Sequence, residues 1–241
     1  MLIALFSLPV KWLAATFLVT DFLLFLILCS IVISQYSQQL RLSLPWIKKH
    51  FSYGFRGMGS GLFLTLNLNI DLLILGLFVS QKDLGAYSLA AAIVVGIYQL
   101  LAAIRTSFNP VLANLVASND LAGIIQLIAV SRKYIFLIIS AISVVIIIFT
   151  YIIIALFLAA KGFNNSGHLL LILIPGVIVY AMFFPFDQIL VMGGLPSQQT
   201  SYNFAVLLCN IIFNIVLVSS YGVWGSALAT SVVSMFVAPT I

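Results

Sequence analysis

Long stretches of this sequence contain no charged side chain, and this scarcity of charge rules out a water-soluble fold. Of 241 residues, ten are Lys or Arg and five are acidic, all of them Asp. A soluble domain has about a quarter of its residues charged, whereas here the share is 6% and 63% of the residues are hydrophobic. Disorder is excluded as well, because disordered chains are poor in apolar residues. The sequence therefore predicts an all-α polytopic membrane protein.

Seven apolar runs are candidates for membrane-spanning helices, each of which needs about 20 mostly apolar residues. They are Trp12–Ser34, Phe55–Val79, Leu84–Phe108, Tyr134–Leu158, His168–Met192, Ser201–Val218 and Tyr221–Val237. Two further segments are expected at the cytoplasmic surface. Gln35–His50 suits the headgroup layer, and Ser118–Lys133 is predicted to be a separate amphipathic helix whose first residues, Ser-Asn-Asp, cap it.

The basic residues predict the orientation of these runs, because cytoplasmic loops carry an excess of Lys and Arg. If the first run ends in the cytoplasm, that side collects Arg41, Lys48, Lys49, Arg56, Arg105, Arg132 and Lys133, and the other side collects Lys11, Lys82 and Lys161. Topology thus accounts for the net charge of +5. No basic run is interleaved with aromatic residues, so we expect no nucleic-acid partner.

Three acids, Asp21, Asp71 and Asp187, fall within the predicted spans. A charge in hydrocarbon costs about 2.5–3.5 kcal/mol on insertion scales, so each needs a reason to be there. Nothing in the sequence indicates the partner of Asp21.

Asp71 ends a polar series in the second run. Asn67 and Asp71 share one face of a helix, whereas Thr65 and Asn69 lie on nearly the opposite face, so this helix is expected to contact protein or a cavity on both sides. Asp71 is either a protonation or ion-coupling site, which we favour, or a hydrogen-bonding residue in helix packing.

The fifth run contains two predicted breaks, at Pro175-Gly176 and at Pro185, because proline removes a backbone donor and bends a helix. Broken helices often line the binding sites of transporters. Asp187 follows the second break, and it is either part of such a site or a solvated residue at the cytoplasmic interface. Arg105, near the inner end of the third run, either pairs with an acid or an anionic ligand, or reaches the headgroups, which we favour.

Four amides form a stripe on the sixth run, within about 60° of one another around a helix. Such a stripe can line a cavity and bind sugar hydroxyls, or it can join helices, which we favour slightly. The amides are Gln199, Asn203, Asn210 and Asn214. On the seventh run, small residues predict close helix packing. They are Gly222, Gly225, Ser226 and Ala229.

The sequence contains no motif that is typical of an enzyme or of a cofactor site. His50 and His168 are far apart, and no cluster of Cys and His has the spacing of a metal site. There is neither a P-loop nor a G-x-S-x-G sequence. We therefore expect no cofactor, no metal and no enzymatic activity.

Four stretches between about Asp71 and Ser231 resemble the polysaccharide or O-antigen flippases of the Wzx type, in the MATE-like superfamily of multidrug, oligosaccharidyl-lipid and polysaccharide exporters. They are NIDLLILGLFVSQKDLGAYSLAAAI, IRTSFNPVLANL, LILIPGVIVYAMFFPFDQILVMGGLPSQQTSYN and YGVWGSALATS, in this order. The resemblance implies a fold of two six-helix lobes. Residues 1–53 would be the last helix of the first lobe with a cytoplasmic connector, and residues 54–241 the C-terminal six-helix lobe.

The resemblance also implies a function. Members of that family move undecaprenyl-pyrophosphate-linked oligosaccharide across the bacterial inner membrane, for O-antigen, lipopolysaccharide or other surface polysaccharides, using an ion gradient. By position, Asp71 would lie in the seventh helix of that fold, Arg105 at the end of the eighth and Asp187 in the tenth.

Most of the first lobe is absent from this chain, so a cavity between two lobes cannot be complete in it. Besides the lipid-linked substrate and membrane lipids, we therefore expect the missing lobe or other polysaccharide-assembly membrane proteins as partners. Two alternatives stay open: a multidrug-type cation antiporter of the same superfamily, and a truncated membrane remnant that does not transport.

Overall fold

The computed structural model describes residues 11–36, 43–158 and 163–236, and most of these residues are helical, with no strand among them. Five of the described helices are long and apolar enough to cross a membrane, or up to six if a pair bent by 44° counts as one span. The predicted all-α polytopic membrane protein is thereby confirmed. The chain divides into two compact units, residues 1–51 and residues 52–241.

The described part of the chain contains eight α-helices. They are α1 (Lys11–Tyr36), α2 (Leu44–Asn67), α3 (Ile70–Phe78), α4 (Gln81–Ala117), α5 (Leu121–Ile153), α6 (Asn164–Ala181), α7 (Ile189–Met192) and α8 (Pro196–Phe236). A π-helical turn, Ile154–Leu158, continues α5, and a 3₁₀ turn, Phe184–Phe186, lies between α6 and α7. The boundary between the two units falls inside α2.

In the first unit, α1 exposes apolar side chains on all sides, and Asp21 is exposed on it as well. A helix that is apolar all round requires lipid or protein around it. Of the predicted surface segment Gln35–His50, residues 44–50 form the first turns of α2. The topology markers Arg41 and Lys161 lie outside the described residues.

The second unit is built around α6, half of whose residues are buried and which packs against α4, α5 and α8. Its contact with α8 is close enough to require glycine: a Cβ at Gly176 would lie 2.7 Å from the Cα of Ser231. The Gly176 N–H donates to Ser231 Oγ at 3.2 Å. The backbones of α6 and α8 are therefore in direct contact at this level.

The sixth and seventh predicted runs form one element, α8, with a break at Gly222. The backbone there has φ 55° and ψ −133°, a conformation that glycine adopts far more readily than other residues. Beyond the break, Ser226 Oγ donates to Asn214 Oδ1 at 2.7 Å, and a Cβ at Gly225 would overlap the carbonyl oxygen of Leu217. The two arms of α8 therefore pack against each other, as the small residues predict.

The prediction of a separate amphipathic helix over Ser118–Lys133 is wrong. The predicted cap is present, since the Asp120 side chain accepts from the Gly123 N–H at 2.9 Å. The helix that begins there, however, continues without interruption to Ile153. No glycine or proline lies near Lys133 and Tyr134 to end a helix, so the surface segment and the fourth span form one element.

The predicted breaks are partly wrong as well. Pro175 lies inside α6 and does not end it, and the next residue, Gly176, donates its N–H to Ser231 of α8. The break near Pro185 is confirmed: α6 ends at Ala181, and the chain turns through Phe184–Phe186 before α7. An unpredicted break at Leu68 and Asn69 separates α2 from α3.

Candidate functional site

A cavity of about 250 Å³, here called the central cavity, opens among α2, α4, α8 and the break after α6. Its wall combines aromatic rings with groups that form hydrogen bonds. The rings are Phe63, Tyr98, Tyr180, Phe184 and Tyr202, and the polar side chains are Asn67, Gln99, Arg105, Asn203 and Ser234. All of these residues belong to the second compact unit. A concave site with mainly apolar walls and a few polar groups is the usual form of a ligand pocket.

Asp71 lies in a side pocket of about 40 Å³ that shares Asn67, Tyr98 and Ser234 with the central cavity. The break at residues 68 and 69 places Asp71 in the first turn of α3, where free backbone N–H groups favour a carboxylate. The side chain is only 6% exposed. Its Oδ2 accepts from Tyr87 Oη at 2.5 Å, and its Oδ1 accepts from the Leu72 N–H at 2.9 Å.

Arg105 and Asp187 form an ion pair, with 2.8 Å between Nη1 and Oδ2. The guanidinium also lies over the ring of Phe184, 4.8 Å from its centroid. Arg105 therefore does not extend to the headgroups as expected, and Asp187 is not solvated, because it is only 8% exposed. The turn through Phe184–Phe186 explains both corrections, since it directs Asp187 inward against α4.

The amide stripe joins α8 to α2. Asn203 Nδ2 donates to Ser60 Oγ at 2.7 Å, and Asn210 Nδ2 donates to Asn67 Oδ1 at 2.9 Å. Gln199 and Asn214 extend the chain of bonds along α8: Gln199 Nε2 donates to Asn203 Oδ1 at 3.3 Å, and Asn214 Nδ2 to Asn210 Oδ1 at 2.8 Å. Of the four amides, Asn203 also lines the central cavity and Asn210 the side pocket.

The expectation that both polar faces of the second run contact protein or a cavity is correct for one face only. Asn67 and Asp71 face the cavities, whereas Thr65 and Asn69 are exposed. Both exposed side chains bond to the preceding turn: Thr65 Oγ1 donates to the Gly61 carbonyl at 2.9 Å, and Asn69 Nδ2 to the Thr65 carbonyl at 3.0 Å. These local bonds pair polar groups of both side chains within their own helix.

The aromatic residues of the cavity and the partner of Asp71 were not predicted from the sequence. Tyr98 packs edge-on against Tyr180 at 5.7 Å and stacks on Phe184 at 6.3 Å, both measured between ring centroids. These rings come from separate elements, so no periodicity in the sequence groups them. For Tyr87 a signal did exist, because a buried tyrosine hydroxyl usually requires a hydrogen-bond partner.

Residues 1–164 match the model of a family described as polysaccharide biosynthesis protein. The chain belongs to this family. The matched part contains Asp71, Tyr87 and Arg105, whereas Asp187 and the amides of α8 lie beyond it. No curated protein and no solved structure matches the chain. The family and the apolar helices together indicate a multi-pass membrane protein with a role in polysaccharide biosynthesis.

Proposed function

We propose that this polysaccharide biosynthesis protein is a flippase of the Wzx type with a MATE-like C-terminal lobe, which moves lipid-linked oligosaccharide across the bacterial inner membrane. Its products would be O-antigen, lipopolysaccharide or another surface polysaccharide. The observation that carries the proposal is the wall of the central cavity, where aromatic rings, amides and one guanidinium meet inside a membrane protein of this family.

Each part of that wall suits one part of an undecaprenyl-pyrophosphate-linked oligosaccharide. Aromatic rings such as Tyr98 and Tyr202 present flat apolar surfaces to sugar rings, while Asn67, Gln99 and Asn203 can bond to hydroxyls. Arg105 lines the same cavity, and a guanidinium binds phosphate oxygens with two parallel hydrogen bonds. A diphosphate at this position would compete with Asp187 for Arg105.

Asp71 is proposed as the residue that couples transport to an ion gradient. A buried acid in a membrane protein commonly marks an ion or proton pathway. The side pocket that holds Asp71 shares part of its wall with the central cavity, so a proton or cation on this carboxylate would change the packing of Asn67 and Tyr98. That shared wall gives ion uptake a direct route to the proposed substrate site.

Export of organic cations is the second candidate, because the aromatic rings and the nearby Asp71 would also suit a cationic drug. The guanidinium of Arg105 on the same wall disfavours it, since like charges repel. Protein partners remain part of the proposal: α1 is apolar on all its exposed sides and would pack against lipid, a missing lobe or another assembly protein.

The test is a transport assay with the purified chain in lipid vesicles. A fluorescent undecaprenyl-diphosphate-linked oligosaccharide is placed in the membrane, and its exposure to an impermeant quencher is followed with and without a proton or sodium gradient. We expect gradient-dependent flipping that is lost in Asp71→Asn and retained in Asp83→Asn, because the Asp83 carboxyl accepts from Ser80 Oγ at 2.7 Å at the start of α4 and lines neither cavity. Uptake of tetraphenylphosphonium without any flipping would favour the drug exporter instead.

A further inference from the structure

The side chain of Arg132, on α5, has no acid and no hydrogen-bond partner among the described residues. It is partly buried, and its guanidinium lies over the ring of Phe183, 4.1 Å from the centroid. The ion pair of the described residues joins Arg105 to Asp187 instead. Removing a charge from water without a partner costs free energy, so this guanidinium requires an anion that the described part of the chain does not supply.

The outer part of the guanidinium remains open to a ligand. Its Nε is buried without a partner, whereas the terminal nitrogens, Nη1 and Nη2, are not enclosed. The ring of Phe183 covers one face of the guanidinium and holds it by a cation–π contact. A guanidinium whose terminal nitrogens are accessible donates two parallel hydrogen bonds to a phosphate. Arg132 is therefore held in a position from which it can bind a phosphate.

The position of Arg132 along α5 is at the edge of the apolar span. The 33 residues of α5 extend over roughly 50 Å at 1.5 Å per residue, which exceeds the hydrocarbon thickness of a bilayer. From Tyr134 to Ile153 no residue is charged, and most of the exposed side chains are apolar. Arg132 and Lys133 therefore lie at the level of the lipid headgroups, on the side that the basic residues predict to be cytoplasmic.

Lys133 provides a natural comparison, because it is basic and adjacent to Arg132 but differs in its surroundings. Its side chain is exposed, and no described residue forms an ion pair or a cation–π contact with it. Lys133 is thus an ordinary surface cation, which attracts any negative surface without selecting a ligand. The aromatic contact that holds the side chain in place belongs to Arg132 alone of the two.

The anion that lies at this level of a membrane is the phosphate of a lipid headgroup. An anionic lipid such as phosphatidylglycerol has a net negative charge, whereas phosphatidylcholine compensates its phosphate with its own ammonium group. A guanidinium without an acid beside it therefore favours the anionic lipid. Basic pockets between transmembrane helices on the cytoplasmic side are known to bind such headgroups.

We infer that Arg132, held by Phe183, binds the phosphate of an anionic bilayer lipid at the predicted cytoplasmic face. Phe183 lies in the irregular segment between α6 and α7, which also contains Asp187. A lipid bound to Arg132 would therefore stabilise the segment that positions Asp187 against Arg105. This site goes beyond the proposed transport function and does not depend on it.

The test counts single lipids bound to the full chain in dodecyl maltoside by native mass spectrometry. Dioleoylphosphatidylglycerol, dioleoylphosphatidylcholine and undecaprenyl diphosphate are titrated separately. Phosphatidylglycerol is expected to bind at least fivefold more tightly than phosphatidylcholine. Undecaprenyl diphosphate serves as the arm for a transported lipid, and its binding should change less than twofold when Arg132 is replaced.

Matched variants identify the residue that binds the phosphate. Arg132→Gln removes both hydrogen bonds and should weaken phosphatidylglycerol about tenfold, whereas Lys133→Gln removes the same charge one position away and should weaken it less than twofold. Arg132→Lys keeps the charge without the two parallel bonds and should weaken it severalfold. Phe183→Leu keeps the guanidinium but removes the ring that holds it, and should also weaken binding severalfold.

Three results would overturn the inference. They are equal binding of the two phospholipids, equal losses in Arg132→Gln and Lys133→Gln, and a loss for undecaprenyl diphosphate as large as that for phosphatidylglycerol, which would make the transported lipid the occupant. The unfolding midpoint without added lipid shows whether each variant is folded, and Phe183→Leu provides the comparison if Arg132→Gln is not. None of these results depends on whether the chain flips lipid-linked oligosaccharide, so the proposed function and the lipid site can fail separately.

Discussion

The guanidinium of Arg105 and the carboxylate of Asp187 meet at 2.8 Å, although 82 positions separate them in the chain, and each residue lines a different cavity. Their contact joins α4 to the irregular segment between α6 and α7, which contains the 3₁₀ turn Phe184–Phe186. Removing one partner of a buried ion pair destabilises a protein strongly, because the other charge is then left buried and unpaired.

Replacing Asp187 by Leu is therefore expected to destabilise the chain by about 2–4 kcal/mol, somewhat below the cost in a fully buried pair, because Arg105 borders a cavity. Arg105→Leu should cost a similar amount. The double variant should be more stable than the sum of the two losses predicts, since it leaves no charge unpaired. Thermal unfolding in detergent measures all three. Strictly additive losses would show that the pair contributes no interaction energy.

The hydrogen bond from Tyr87 to Asp71 supports a second prediction. Tyr87→Phe removes the donor at 2.5 Å and leaves the buried carboxyl with backbone N–H donors only. The expected loss of stability is about 1–3 kcal/mol, the usual cost of an unpaired buried group. Tyr134→Phe is the control, because that ring is exposed, and it should change the unfolding midpoint little. Equal effects of the two substitutions would contradict the assigned role of Tyr87.

The spans of this protein follow from the sequence because hydropathy is a local property. Each predicted run overlaps a helix. The chain has five acidic residues, all Asp, and so few charged side chains exclude a water-soluble fold. The breaks in the helices can be predicted from the sequence less well than the spans. Pro175 does not end α6, although proline usually breaks a helix. The interruption at Leu68 and Asn69 contains no glycine or proline that would predict it. Rules based on local sequence therefore predict neither the continuous helix at Pro175 nor the break at Leu68 and Asn69.

The residues of the candidate site can also be predicted from the sequence, whereas their contacts cannot. Asp71, Asp187 and Arg105 can be recognised from the sequence because charge in a membrane is costly. Their contacts cannot, since Asp71 bonds to a tyrosine on another helix and Arg105 to an acid 82 positions away. The amides of α8 are visible as a stripe, yet only the packing against α2 shows that Asn210 bonds to Asn67.

Asn210 is expected to be the most sensitive amide of the stripe. It donates to Asn67 on α2 and accepts from Asn214 on its own helix, so one substitution disturbs both bonds. Asn210→Leu should cost about 1–3 kcal/mol, because Asn67 Oδ1 loses its donor and the buried Asn214 Nδ2 keeps only its bond to the Asn210 carbonyl. Asn69→Leu, on the exposed side of the break, should be nearly neutral. The thermal unfolding midpoints of the two variants test this prediction. If Asn210→Leu leaves the midpoint unchanged, these bonds do not join the helices.

Replacing glycine by alanine should lower the stability of the protein at Gly222 and raise it at Gly96. Gly222 has φ 55° and ψ −133° at the break in α8, where a Cβ is strained whatever the space around it, so Gly222→Ala should destabilise by about 1–3 kcal/mol. Gly96 lies in the interior of α4 with no atom within 4 Å of an added Cβ. Gly96→Ala should therefore stabilise by about 0.5–1 kcal/mol, the gain in helix propensity. Thermal unfolding of the two variants side by side checks both signs. A stabilising Gly222→Ala would mean that α8 runs straight through that position, and that the arms joined by Ser226 and Asn214 do not pack together.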